Sequence, residues 1–216
     1  MLEIDIYSDI LSIPAHFVDE RLEKLEAKFK DKIKINYHWI SLLSDTDAPH
    51  QRARVVDYYE HIEKLKDVSQ YFQFNDSIWL NKIRTSSSGA HLFLKAVELS
   101  LKDKGEDSYQ TVHALANRYR RIYFEDGEDI SNFLVLEKAL DQLSIDKAEV
   151  NSYIRNSKAL AALIEDESSC YKLHAHEILP LLSFQKGSYK LYGDVSYKVI
   201  ENMVENLLHI THRRAA

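Results

Sequence analysis

The sequence predicts an α/β fold: a four-stranded mixed sheet interrupted by a long helical insertion. Three observations predict it. The chain opens as strand, helix, strand; it closes as strand, strand, helix; and the stretch between has helical periodicity. At the start, Leu2, Ile4 and Ile6 alternate with Glu3, Asp5 and Tyr7, the period of a strand. Phe17, Val18, Leu22, Leu25 and Phe29 then recur three and four residues apart among Asp19, Glu20, Arg21, Glu23 and Lys24. That spacing marks one apolar face of a helix over about 14–29. Residues 33–40, Ile-Lys-Ile-Asn-Tyr-His-Trp-Ile, alternate again. A short helical crossover between two strands implies a parallel pair with a right-handed connection.

The middle of the chain reads as helices over about 49–70, 87–104, 107–124, 132–142, 147–156 and 157–174, with a loop around 74–76. Five glycines and three prolines in 216 residues are few breakers, consistent with much helix and short loops. Asp47 and Pro49 suit the start of the first of these helices, and Gly105 the end of the second. The chain closes with an apolar stretch over 178–184, a turn containing Gly187, a second strand over 189–193 and a helix over about 196–209. Pro180 has no N–H for a sheet ladder, which puts it at a strand start or an edge. The expected organisation is therefore one sheet domain, 1–43 with 163–216, and an inserted helical subdomain, 44–162.

Composition narrows the function classes. A net charge of −6 leaves no basic excess for a nucleic-acid footprint. There is no run of about 18 apolar residues, so no membrane span is expected. The opening segment lacks a basic n-region and a long apolar h-region, so no signal peptide is expected. Cys170 is the single cysteine and cannot form an intrachain disulfide. The cytoplasm is the expected compartment.

The stretch with chemical promise is Tyr7-Ser8-Asp9-Ile10-Leu11-Ser12-Ile13-Pro14-Ala15-His16. A strand that ends in a polar turn and feeds a helix N-terminus offers unpaired N–H groups and the positive end of a helix dipole. Thiolates, carboxylates and phosphates are stabilised there. Ser12 reads first as the N-cap, with Pro14 in the first turn, and its hydroxyl is the candidate catalytic group. His16, one turn into the helix, reads as a half-exposed residue within reach of a ligand at the turn. Cys170 reads as a small buried residue rather than a nucleophile. The pairs His174/His176 and His209/His212 have no acid or cysteine completing a metal set, so no metal is expected. Asp126, Glu128 and Asp129 lack the twelve-residue calcium pattern and read as turn and capping chemistry. Tyr58, Tyr59, Tyr71, Phe72, Phe74 and Trp79 read as helix packing.

Three segments carry a family resemblance over nearly the whole chain. Residues 8–15, Ser-Asp-Ile-Leu-Ser-Ile-Pro-Ala, fall where proteins of the FrnE branch of the DsbA-type thioredoxin-fold family have Ser-Asp, two residues, then Cys-Pro-Trp-Cys. Residues 123–131, Tyr-Phe-Glu-Asp-Gly-Glu-Asp-Ile-Ser, are similar to their Phe-x-x-Gly-x-Asp-Ile-Ser segment. Residues 178–182, with Gly187 and Gly193 after them, match their Gly-Val-Pro-x-Phe, hairpin and glycine. The chain also resembles the related 2-hydroxychromene-2-carboxylate isomerases and kappa-class glutathione transferases. The resemblance implies a thioredoxin-like sheet, an oxidoreductase lineage and a cis peptide before Pro180. Leu179 would then present its N–H and C=O to an extended, peptide-like ligand.

The departures are equally specific. Ser12 and Ala15 stand where both active-site cysteines belong, and Ile178 replaces the glycine before the Val-Pro pair. A serine cannot attack a disulfide sulfur as a thiolate does, so no disulfide exchange is expected. Two function classes follow. One is a catalytically silent thioredoxin-fold protein that binds a small ligand or partner. The other is a glutathione-dependent isomerase or transferase, since Asp9-Ile10-Leu11-Ser12 has the spacing of the related enzymes' Asp-x-x-Ser turn. There, a serine hydroxyl lies near the glutathione sulfur. Glutathione is accordingly the one cofactor to test. The candidate ligand-binding set is Ser12, Ile13, Pro14, His16, Leu179 and Pro180, in a cleft beside the helical insert. A small thiol or peptide-like molecule is the expected ligand, and a homodimer is compatible with the sequence.

Overall fold

Strand β1, Leu2–Ser8, forms where the alternation requires it, with Ile4 and Ile6 fully buried. The computed structural model describes residues 1–44, 75, 85–174 and 178–215, with side chains to His209. Helix α1, Ile13–Phe29, follows the turn after β1, and β2, Ile33–Trp39, follows a 3₁₀ turn. Among the described residues five helices come next: α2, Ser87–Asp103; α3, Tyr109–Phe124; α4, Phe133–Gln142; α5, Lys147–Arg155; and α6, Lys158–Lys172. The chain ends with β3, Leu181–Phe184, β4, Tyr189–Tyr192, and α7, Tyr197–Ala215.

The sheet order is β2-β1-β3-β4, with β1 parallel to β2 and β3 antiparallel to both β1 and β4. This is the predicted four-stranded mixed sheet. Residues paired across strands share a face. Ile4 opposes Ile35 and Phe184, and Ile6 opposes Tyr37 and Leu182, so these make one apolar face. Val18, Leu22 and Leu25 of α1 are fully buried, and the Tyr37 hydroxyl donates to Asp19 Oδ1 at 3.0 Å, which puts α1 on that face. The opposite face carries Asp5, Tyr7, His38 and Ser183, and the second half of α6 covers part of it. There His38 Nδ1 lies 2.8 Å from Asp166 Oδ1, and Lys190 Nζ donates to the Leu173 carbonyl at 2.8 Å. α7 is tied to α1 by Lys28, whose Nζ is 2.9 Å from Glu201 and 2.7 Å from Glu205.

By contacts the chain divides into two compact units, Met1–Ile40 with Glu165–Ala216, and Ser41–Ile164, so the second boundary falls inside α6. The second unit contains no strand among its described residues. Its core is Phe93, Leu94 and Val97 of α2, Leu115, Tyr119 and Phe124 of α3, and Leu136 and Leu140 of α4. Ser86, Asn132 and Asp146 cap the starts of α2, α4 and α5 with side-chain acceptors. Gly105, at φ 75°, closes α2: its N–H reaches Lys102 O, and Glu106 N–H reaches Leu101 O. That is a Schellman ending.

Several expectations change in detail. The closing apolar stretch pairs only from Leu181, because Pro180 cannot donate to the ladder. The last helix runs to Ala215 rather than stopping near 209. Helix α4 is capped by Asn132, while Asp129 takes the N–H and hydroxyl of Ser131 instead. The helix expected over 49–70, its Asp47/Pro49 start, the six insertion aromatics, His176 and the His212 side chain lie outside the described residues, as does the 74–76 loop apart from Asn75.

Candidate functional site

The turn after β1 is built by Asp9. Its carboxylate Oδ1 accepts the Leu11 N–H at 2.8 Å, and its carbonyl accepts the Ser12 N–H at 3.0 Å. This aspartate turn is buried, with Asp9, Ile10 and Leu11 each 1% exposed or less. Leu11 and Ile13 are likewise buried, at 1% and 0% exposure.

Ser12 is the N-cap of α1, in extended geometry, with its Oγ accepting the Ala15 N–H at 3.3 Å. A capping hydroxyl accepts through oxygen and keeps its own hydrogen to donate. The His16 N–H closes the first helical bond on Ser12 O at 3.2 Å, and Pro14 has no N–H to satisfy. The Ile13 N–H is therefore the open donor of this first turn, with no hydrogen-bond partner among the described residues. The His16 side chain is only 14% exposed and its Nε2 lies 3.6 Å from Glu20 Oε1. It is more enclosed than the half-exposed position expected. Burial raises the Glu20 carboxyl above its ordinary range, with Lys24 opposing the shift.

Leu179 and Pro180 lie at the same end of the sheet as this turn. The register requires it: β3 runs antiparallel to β1 and begins with Leu181 opposite Tyr7, one residue before β1 ends at Ser8. The Leu179–Pro180 peptide bond is cis, as expected. Pro180 O accepts the Gly193 N–H at 2.8 Å. The Leu179 N–H and C=O have no partner among the described residues. Its side chain packs on a cluster of Tyr7, Ile40, Cys170 and Leu181. Beside it, Ile178 is 57% exposed. Cys170, in that cluster, is buried at 1% exposure, and burial, with Glu167 adding to it, pushes its thiol up to about 11.

All six predicted site residues thus sit at one end of the sheet, though Ile13 can offer only its backbone N–H there. Among the described residues, no group of three histidine, cysteine or acidic side chains is placed to hold a metal, and no helix is long and apolar enough to cross a membrane. Sequence reasoning missed Asp9 as the builder of the turn; the aspartate two residues before Leu11 is the local signal that could have found it. It also missed the contact of His38 with Asp166, which has no local signal across 128 residues.

Solved structures resemble this arrangement of sheet and helices over its whole length. A candidate protein disulfide isomerase from Nitrosomonas europaea superposes with a TM-score of 0.72 at 13% identity, over 96% of this chain and 98% of that one. The chain has the DsbA-like thioredoxin fold. A 2-hydroxychromene-2-carboxylate isomerase matches with a TM-score of 0.65 at 13% identity, covering 99% of this chain and all of that one. The cytosolic disulfide reductase DsbM from Pseudomonas aeruginosa, solved with GSH, matches at 0.62 and 11% identity over 99% of both chains. No protein-family model matches the chain, and no curated protein does. Within this DsbA-like fold, the helix-start positions read as cysteines in the resembling family hold Ser12 and Ala15.

Proposed function

We propose that this chain is a DsbA-like protein of the FrnE branch that does not exchange disulfides and instead binds a small thiol or peptide-like ligand at the Ser12–Leu179 end of the sheet. The observation that carries the reading is a set of open polar groups at this end of the sheet. The Ile13 N–H and the Leu179 N–H and C=O are unpartnered among the described residues, and Ser12 retains a hydroxyl hydrogen to donate. An anionic group suits the start of α1, and an extended backbone suits Leu179. Residues 1–43 and 163–216 form the binding domain in this reading, 44–162 the inserted subdomain, and the cytoplasm is the compartment a single-cysteine member of this lineage would occupy.

A second reading is a glutathione-dependent isomerase or transferase. It is favoured by the Ser12 hydroxyl, which keeps a hydrogen that would donate to a bound thiolate and so lower that thiol's pKa. The similar isomerase and the DsbM structure holding GSH support testing glutathione first.

Amide chemical-shift mapping with glutathione separates the outcomes. Shifts clustered at Ser12, Ile13, His16 and Leu179, weakened in Ser12→Ala, are expected if the thiol is the ligand. Shifts at Leu179 with an unstructured peptide and none with millimolar glutathione would favour the silent binding protein. No response at this end of the sheet to either probe would remove both readings.

A further inference from the structure

The sheet face opposite α1 carries a histidine with a carboxylate at each ring nitrogen. His38 Nδ1 lies 2.8 Å from Asp166 Oδ1 on α6, and Nε2 lies 3.5 Å from Asp5 Oδ1 on β1. The other oxygen of Asp166 accepts the backbone N–H of Trp39 at 3.0 Å. One carboxylate on α6 therefore grips both the imidazole and the backbone of β2, an edge strand of the sheet. The Tyr7 ring stacks on the imidazole, with centroids 4.4 Å apart and planes 13° from parallel. Ser169, one turn along α6, donates its Oγ hydrogen to the Asp166 carbonyl at 2.8 Å.

We propose that His38 is a proton-operated latch that clamps the second half of α6 to β1 and β2 and, through Tyr7, sets how firmly Leu179 is seated. The latch stands on this geometry and does not depend on the identity of any ligand. Asp5 and Tyr7 face the ring from β1, and Asp166 from α6. On β2, Asn36 donates to Asp5 Oδ1 at 3.0 Å, and the exposed Lys34 is the cation near Asp5. Cys170 belongs to the same buried cluster as Tyr7.

A protonated imidazole donates from both nitrogens, one to each carboxylate, and two anions within hydrogen-bonding range favour that charged form. Asp5 reflects the pairing. Burial pushes its carboxyl up, but the His38 and Asn36 hydrogen bonds and the His38 and Lys34 charges outweigh this and hold it below its ordinary range. A neutral imidazole that keeps its hydrogen on Nδ1 still reaches Asp166 but turns a lone pair toward Asp5. The β1 arm is then lost, the α6 arm loses its charge assistance, and Tyr7 no longer stacks on a cation. The sign follows. Carboxylates at both ring nitrogens favour the imidazolium in the folded chain, so the latch is closed at pH below the ordinary histidine value of about 6.5 and opens as pH rises through the His38 midpoint. Tyr7 belongs to the cluster on which Leu179 packs, so loosening reaches the candidate site.

The test is an NMR titration of the full chain, with the His38 Cε1–H signal assigned by its loss in His38→Gln. We expect a midpoint above the ordinary histidine value of about 6.5, because two carboxylates flank the ring, and a lower midpoint in Asp5→Asn. Asp5 is chosen because its side chain is 22% exposed, whereas that of Asp166 is 8% exposed. Trp39 amide exchange, corrected for its intrinsic pH dependence, should accelerate through the same midpoint, and the Leu179 amide shift should follow it. A wild-type midpoint at or below the ordinary value would overturn the latch, whatever the variant does. So would a midpoint that Asp5→Asn leaves in place, or Trp39 and Leu179 amides that do not respond to it.

Discussion

Ser12 does two jobs at one atom, and they can be separated. Its Oγ accepts the Ala15 N–H, so Ser12→Ala should lower stability by about 1 kcal/mol, the usual loss for an N-cap. Urea unfolding measures this. Ser12→Asp should recover most of that loss, since aspartate caps as well as serine, but it has no hydroxyl hydrogen to give a thiolate. A variant that is stable yet has lost glutathione-induced shifts would assign the hydroxyl to the ligand. Cys170 makes a different prediction at this scale. With its thiol pushed up to about 11 and its side chain buried, it should resist a disulfide reagent at neutral pH in the folded chain. It should react at once in denaturant, and fast modification without unfolding would contradict the core placement.

At the scale of elements, the β3–β4 hairpin and the α1–α7 tie each carry a test. Gly187 has φ 88°, and a Cβ there would lie 2.6 Å from Leu173 Cδ2, the side chain at the end of α6. Gly193 has φ 72° with nothing within 4 Å of the same added atom. Both alanine substitutions incur the left-handed backbone cost of about 1–2 kcal/mol, and only Gly187→Ala adds a clash. Gly187→Ala should therefore be the more destabilising in thermal melts, and equal losses would mean that Leu173 simply moves aside. In the α1–α7 tie, Lys198 first and then Lys28 hold the Glu201 carboxyl down to about 2, against an ordinary 4.5. A depressed folded value contributes stability above pH 4.5 that is lost as pH falls toward 2. Glu201→Gln should flatten this acid limb of the stability curve, while the same substitution at the exposed Glu165 should not.

For the whole molecule, the fold and its chemistry point in different directions, and one assay distinguishes them. The sheet and helices superpose on a cytosolic disulfide reductase, yet the turn offers Ser12 and Ala15. Because exchange needs a thiolate at the attacking position, insulin reduction by this chain should run at the buffer rate. Turnover above that rate which survives Cys170→Ala would show a mechanism that the turn does not contain.

What the sequence determined by itself is whatever rests on local repetition or on missing atoms. The period of Leu2, Ile4 and Ile6 marks β1, the three-and-four spacing of Val18, Leu22 and Leu25 marks α1, and Gly105 marks the end of α2. Capping by Ser12 was legible for the same reason, since it needs only the neighbouring N–H of Ala15. The absence of cysteine from the turn required no structure. Tertiary structure decided what depends on partners far away in the chain. Pro180 sits just outside the ladder because Leu181 is the first residue to pair, opposite Tyr7 and Tyr192. His16 is more enclosed, at 14% side-chain exposure, than the half-exposed ring usual for histidine. Asp166 grips His38 and Trp39 from a different helix. A side chain's neighbours across the sheet follow from register and crossover. No period in the local sequence encodes which distant carboxylate will arrive at a given imidazole.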